Sequence, residues 1–340
     1  MTINIQKDIF AFLKNQNVVL LVILIVLNIF FSVMSEHFLQ LSNYFNMLKQ
    51  SSALLITASA ATVLMMTGNF DLSTGSNLAF SGVLYAQLAS IGIPLSLAAV
   101  ITLVAGTGFG LVNGILVTRY DISPFIATLG MLFIGKGLAL VVCNGQSVRS
   151  NLPDHFMAMM RESFIGIPVP IVMAIVGVVI FWILANKSLL GKYAMVIGSN
   201  KNAAFLSGIN VNAICLGLFV IVAALASLAG IMTASRIGAG DPRINEFFFM
   251  DVIVAIMLGG NSLSGGKGTI TGTMIAAMIV IVIGNGLSML NVLIFWQTVI
   301  KGIILIVAVT FNEKILVGEI GRKMSRPKEE TSGYSAATGR

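Results

Sequence analysis

The chain has 340 residues, of which 57% are apolar and only 10% are charged, and its mean hydropathy is +0.96. Soluble domains carry roughly 25% charged residues, so this composition indicates an integral membrane protein and leaves little room for a soluble catalytic domain. The net charge of +7 fits Lys and Arg in cytoplasmic loops better than nucleic-acid binding, which we do not expect.

Apolar runs along the chain predict an all-α integral membrane fold with about ten transmembrane helices, some short or broken. A spanning helix needs about 20 residues. The clearest runs lie at 18–34, 95–118, 168–185, 212–234, 269–289 and 293–311, and less regular runs lie at 44–66, 76–92, 124–142 and 247–259. The apolar part of the run at 44–66 can span only if its helix begins earlier, near Ser42 as N-cap.

The distribution of basic residues predicts the orientation. Ten spans place both termini on one side of the membrane. If that side is the cytoplasm, 13 of the 20 Lys and Arg residues lie in inner segments and 5 in outer ones, with Lys136 and Lys301 inside spans. This bias predicts cytoplasmic termini. We therefore expect a transmembrane domain at 1–317 and a disordered cytoplasmic tail at 318–340.

A polar, glycine-rich turn at residues 68–76 (GNFDLSTGS) follows a short apolar run. A carboxylate near bilayer depth costs about 3 kcal/mol on insertion scales. Asp71 and Ser73 precede the next predicted helix, where their oxygens can cap free N–H groups. With Asn69 they are also candidates for the edge of a transport path. The two interpretations are compatible, because capped helix starts inside a membrane also form binding sites.

A second turn of this kind, GGNSLSGG at residues 259–266, makes Asn261 and Ser264 further candidates for a path or a cap. Two such turns, each ending a short apolar run, indicate broken helices. They fit either a parallel repeat of two related halves or a chance recurrence of Gly-rich turns. Lys267 follows the second turn, but the spacing Gly-x4-Gly-Lys-Ser/Thr of a phosphate-binding loop is absent. We therefore assign no catalytic, cofactor-binding or metal-binding residue, and expect a partner to bind any ATP and Mg.

The long inner loop at 186–211 contains a predicted short helix, which Asn200 caps and Gly208 ends. Its apolar side chains either pack on the helix ends of this chain or dock on a cytoplasmic partner. The predicted docking surface consists of Asn200, Asn202, Ala203, Ala204, Phe205, Leu206 and Gly208.

Four motifs in order resemble those of bacterial ABC-transporter inner-membrane permeases for ribose and related monosaccharides, a family that includes autoinducer-2-like importers. They are TGNFDLSTGS at 67–76, Asn113-Gly114 with IATLG at 126–130, IGSNKNAA at 197–204 with SGI at 207–209, and LGGNSL at 258–263 with GGKG at 265–268. Asn69 departs from the family pattern, which usually has Gly at that position. Asn261 stands where the family often has Thr.

The resemblance implies a complex in the bacterial inner membrane. It would contain two permease chains, a cytoplasmic ATPase that binds the ATP and Mg, and a periplasmic or lipid-anchored sugar-binding protein. The loop at 186–211 would couple to the ATPase, and the outer segments 143–166 and 235–246 would dock the binding protein. The alternatives are a permease for a branched-chain amino acid or a furanone signal, or a secondary transporter that works alone.

Overall fold

The computed structural model describes residues 16–244, 247–307 and 310. Its longer helices are α1 (Gln16–Met34), α2 (Leu41–Met66), α3 (Thr74–Ser90), α4 (Leu95–Arg119), α5 (Pro124–Val142), α7 (Val169–Lys187), α10 (Val211–Ile237) and α12 (Ile270–Met289). Shorter ones are α6 (Ala158–Arg161), α8 (Leu189–Ser199), α9 (Lys201–Leu206), α11 (Phe248–Leu258) and α13 (Ile294–Val307). The predicted tail at 318–340 lies outside the described residues.

Seven helices in the described part of the chain are long and apolar enough to cross a membrane: α1, α2, α4, α5, α7, α10 and α12. The prediction of a helical membrane protein is confirmed, while the number of about ten spans stays a prediction. The other three predicted spans contain α3, α11 and α13, which are shorter. Helix α2 does begin well before its apolar run, but at Leu41, so Ser42 is not its N-cap. Gln40 holds that position and makes no side-chain capping bond.

Helix α2 lies at the centre of the domain. Its most apolar 18-residue window is 78% buried within the protein, whereas that of α1 is 11% buried. The difference follows from composition, because α2 is rich in Ala, Ser and Thr, and small residues let helix backbones approach closely. Helix α10 packs against α2, α3 and α4, so these four helices form the core.

A buried hydrogen-bond network joins α3 to α4 and α10. The Asn77 amide donates to the carbonyl of Gly106 at 3.0 Å and to that of Ala223 at 2.9 Å. The Ser81 hydroxyl bonds to Ser227 Oγ at 2.8 Å. Because a buried polar group is costly without a partner, the network fixes the position of α3, which is short and nearly all buried.

The segment between α5 and α7 folds as a 3-10 turn (Asp154–Met157), α6 and a two-stranded antiparallel hairpin of β1 (Ser163–Phe164) and β2 (Ile167–Pro168), with Ser163 opposite Pro168. The segment also contacts the chain beyond α10. Val148 and Gly240 exchange two backbone hydrogen bonds of 2.8 and 2.9 Å. The two segments predicted to dock a binding protein therefore lie together, at the end of the domain away from α8 and α9.

Candidate functional site

The first glycine-rich turn holds a buried carboxylate between α2 and α3. Asp71 Oδ1 accepts from the Ser73 N–H at 2.8 Å and from the Ser73 hydroxyl at 2.6 Å. The Asn113 amide of α4 donates to Ser73 Oγ at 3.0 Å and to Asp71 Oδ1 at 3.3 Å. Ser73 occupies the N-cap position of α3, but its hydroxyl makes no capping bond to the helix. The carboxylate orders the turn before α3.

The turn lies well inside the helical domain. Asn113 is six residues from the end of α4, which at 1.5 Å per residue is about 9 Å. Ser76, in the first turn of α3, sits against Gly135, where a Cβ would collide with the Ser76 hydroxyl. Gly135 lies roughly 16 Å along α5 from its start. Helix α3 therefore begins at depth, as expected for a broken span.

Two oxygen atoms of this cluster retain hydrogen-bonding capacity. Among the residues that the structure describes, Asp71 Oδ2 and Asn113 Oδ1 are buried and accept no hydrogen bond. Buried acceptors usually have a donor, from protein or water. The pair can therefore accept bonds from a buried water.

The two glycine-rich turns meet each other and α8. The Gly266 N–H donates to the Met66 carbonyl at 2.9 Å. A Cβ on Gly265 would approach Gly68 N to 2.5 Å, and one on Gly198 of α8 would collide with the Met66 carbonyl. Only glycine allows these three backbone segments to approach so closely. Ser264 is exposed beside this contact, and its carbonyl faces Gly68.

The remaining candidates in the turns have separate surroundings. Asn69 donates to Thr67 Oγ1 at 2.8 Å and to Cys215 Sγ at 3.5 Å. Asn261 is fully buried, and its amide group donates to the Ile256 carbonyl at 2.6 Å and to Thr273 Oγ1 at 2.8 Å. Its oxygen accepts from the Thr269 N–H at 2.6 Å. These bonds join α11 to α12, so Asn261 has a structural role here.

The predicted short helix in the inner loop is confirmed as α9. The Asn200 side chain accepts from the Ala203 N–H at 2.9 Å, and Gly208 follows the helix with a φ of 80°. Ala204 is buried against the chain, and Asn202 and Ala203 are exposed. Phe205 is 71% and Leu206 85% exposed, so these two side chains do not pack on the chain's own helix ends.

The sequence indicated only one partner of an ion pair within the domain. Lys301 Nζ of α13 lies 2.8 Å from Asp251 Oδ1 of α11. The sequence placed Lys301 inside a span without a partner. It gave no role to Asn113 beyond a family motif and none to Asn77, although an Asn inside an apolar span is itself a signal, since lipid cannot satisfy its amide.

The chain matches the family described as branched-chain amino acid transport system / permease component over residues 43–309. The ribose import permease protein of Bacillus subtilis (strain 168) is 36% identical over 292 residues, covering 86% of this chain and 91% of the relative. The D-allose transport system permease protein of Escherichia coli (strain K12) is 35% identical over 295 residues, covering 86% and 90%.

The L-arabinose ABC transporter permease protein of Azospirillum brasilense is 38% identical over 264 residues, covering 77% of this chain and 78% of the relative. No solved structure matches the chain. The family match extends over more than half of the chain, and it includes both glycine-rich turns, α8 and α9. The chain is therefore a multi-pass membrane permease that belongs to the branched-chain amino acid transport system / permease component family.

Proposed function

We propose that this chain is the membrane-spanning permease subunit of an ATP-driven importer for a pentose- or hexose-like sugar in a bacterial inner membrane. The observation that carries the proposal is the similarity, over most of both chains, to relatives named as permeases for ribose, allose and arabinose. The chain itself is not an enzyme in this proposal. A separate cytoplasmic ATPase binds ATP and Mg and hydrolyses the ATP.

The ATPase docks on α9. The surface consists of the residues assigned above except Ala204, which is buried, with Phe205 and Leu206 as its apolar anchors. Exposed aromatic side chains on a rigid element are favourable centres for an interface. Helix α8 links this surface to the membrane domain, because Gly198 lies against the end of α2 at Met66 and against the second glycine-rich turn. A displacement of α9 by the ATPase would therefore reach the start of α3 and the end of α2.

The transport path runs past the first turn, where the buried cluster of Asp71, Ser73 and Asn113 holds the start of α3 in place. A second permease chain completes the path, as the resemblance implies. A periplasmic or lipid-anchored sugar-binding protein docks on the joined segments 143–166 and 235–246. Transport then proceeds by alternating access.

The proposed topology has ten spans, formed by the seven long apolar helices with α3, α11 and α13, and both termini are cytoplasmic. The predicted bias of basic residues supports it. Residues 155 and 195 then lie on opposite sides. The substitutions His155→Cys and Met195→Cys, in a chain with Cys143 and Cys215 replaced by Ala, should react with an impermeant thiol reagent from the outer and inner side respectively. Labelling of both from one side would exclude this topology.

Reconstitution tests the function. The chain should be placed in liposomes with its co-encoded ATPase, with ATP inside the compartment that represents the cytoplasm. Labelled sugar should enter only when the ATPase, ATP and the sugar-binding protein are all present, and the purified chain alone should hydrolyse no ATP. Uptake by this chain alone, driven by an ion gradient, would instead establish a secondary transporter. ATP-driven uptake of a branched-chain amino acid but of no sugar would still support the assignment as an importer subunit. It would exclude a sugar as the substrate.

A further inference from the structure

A polar cavity of about 80 Å³ lies among α2, α10, α11 and α12. Three cationic side chains line it, Lys49, Arg236 and Lys301, together with one carboxylate, Asp251. Arg236 is in the last turn of α10, and α10 begins just after α9. The cavity is therefore at the end of the domain opposite α9, remote from the first glycine-rich turn.

The charges around this cavity do not balance. Asp251 pairs with Lys301, whose Nζ lies 2.8 Å from its carboxylate. Within the part of the chain that the structure describes, neither Lys49 nor Arg236 forms an ion pair. Both are only partly exposed. Cations inside a membrane domain are costly unless they meet water or an opposite charge, so the surroundings favour a bound anion.

We propose that the cavity binds a phosphate-type oxyanion, either free phosphate or the phosphate of an anionic lipid headgroup. The guanidinium of Arg236 can donate two parallel N–H bonds to two oxygens of one phosphate, and Lys49 adds a point charge. The cavity volume is several times the ~10–15 Å³ that a single water needs. A neutral sugar would leave the two cations uncompensated, so an oxyanion suits this cavity better than a sugar does.

The bound oxyanion would connect two central helices of the domain. Lys49 is on α2 and Arg236 is on α10, so one anion between them would join the two central helices at this end. The Asp251–Lys301 pair extends the connection to α11 and α13. Removal of the anion should therefore weaken the folded domain without altering the α9 surface.

Thermal unfolding of the full-length chain in a neutral detergent tests the site. The probes are inorganic phosphate, short-chain phosphatidylglycerol, and phosphatidylcholine of the same chain length as a zwitterionic reference. Phosphate or phosphatidylglycerol should raise Tm by about 3 °C over chloride or phosphatidylcholine, because a ligand of the folded state stabilises it. The variant Arg236→Gln should bind the active probe roughly tenfold more weakly. Arg243→Gln, at an exposed arginine of the following loop, is the matched control.

A response to inorganic phosphate assigns a free anion, and a response to phosphatidylglycerol alone assigns a lipid headgroup. Both support the site. The proposal is overturned if neither probe shifts Tm, if Arg236→Gln responds like the unchanged chain, or if Arg243→Gln loses the response equally. Should Arg236→Gln aggregate on gel filtration, Lys49→Gln takes its place with the same expected loss. An unaltered response of that variant would also overturn the proposal.

Discussion

The backbone N–H of Gly266 donates to the carbonyl of Met66 at 2.9 Å. Met66 is the last residue of α2, and Gly266 belongs to the other glycine-rich turn, two hundred positions later in the sequence. The last turn of a helix leaves carbonyls without an intrahelical partner, and this bond satisfies one of them. The two turns therefore form one structural unit, which α8 covers at Gly198.

Gly198→Ala tests that unit. The added methyl would collide with the Met66 carbonyl and with the backbone of Gly265 and Gly266, so α8 must move away from the turns. We expect ATP-driven uptake to fall at least tenfold, about 1.4 kcal/mol. Gly217→Ala in α10, where nothing lies within 4 Å of the new Cβ, is the control and should transport normally. Equal transport by both variants would contradict a role for this contact in coupling.

Phe205→Asp tests the docking surface on α9. The side chain is 71% exposed, so the change should not affect folding or membrane insertion. It removes an aromatic anchor and adds a charge, and such a loss typically costs an interface about 2 kcal/mol or more. We expect loss of ATPase co-purification and of uptake.

The control is Phe164→Asp, at a residue of β1 that is 61% exposed at the opposite end of the domain. It should retain the ATPase fully. Retention of the ATPase by the Phe205 variant as well would place the docking surface elsewhere.

Asp71→Asn and Asp71→Ala separate a positioning carboxylate from an ion-coupling one. Asn keeps an oxygen that can accept hydrogen bonds from the Ser73 N–H and hydroxyl. In the unchanged chain these two groups donate to Asp71 Oδ1 at 2.8 and 2.6 Å. Ala leaves those buried donors without a partner, at a cost of about 1–3 kcal/mol. We expect Asp71→Ala to lower Tm and expression, and Asp71→Asn to retain most ATP-driven uptake. If Asp71→Asn folds normally but abolishes uptake, the charge itself takes part in transport.

The two described ion pairs should differ in their contribution to stability. Lys301 and Asp251 have side chains that are 26% and 20% exposed, whereas Lys201 and Asp121 are 59% and 82% exposed. Removing one partner of a mostly buried pair leaves an uncompensated charge and costs up to ~3 kcal/mol, whereas an exposed pair contributes about 0–1 kcal/mol. Lys301→Met should therefore lower Tm by several degrees and Lys201→Met hardly at all. The double variant Lys301→Met with Asp251→Leu should recover much of the loss; if it falls further, the pair does not act as a unit.

The sequence predicted the positions of the helices better than their surroundings. Each of the ten predicted apolar runs contains a helix, because apolar run length reports burial in lipid or protein. Run length does not distinguish a central helix from a peripheral one, so the core position of α2 was not predicted, although its Ala, Ser and Thr content explains it. The N-cap at Ser42 was wrong by two positions, since helix ends depend on local turns.

The site was predicted in part. Asn200 and Gly208 carry local capping signals that determine α9, so that helix was predictable. Asn113 and Asp71 are 42 positions apart, and no local rule connects them. The contact between the two turns also depends on tertiary packing. The bond from Asn261 to Thr273 was not predictable for the same reason, because Thr273 lies on the next helix.

Gly110→Ala and Gly108→Ala form a matched pair within one helix. Both glycines are on α4, but a Cβ on Gly110 would collide with the Phe219 carbonyl and the Ala223 side chain of α10, whereas nothing lies within 4 Å of one on Gly108. Ala favours a helix over Gly by about 1 kcal/mol, so Gly108→Ala should leave Tm unchanged or slightly raised. Gly110→Ala must separate two core helices, and overpacking of this kind costs about 1–3 kcal/mol. Differential scanning fluorimetry of the two purified variants compares them directly. An equal Tm for both would mean that α4 and α10 do not approach as closely in the membrane as they do here.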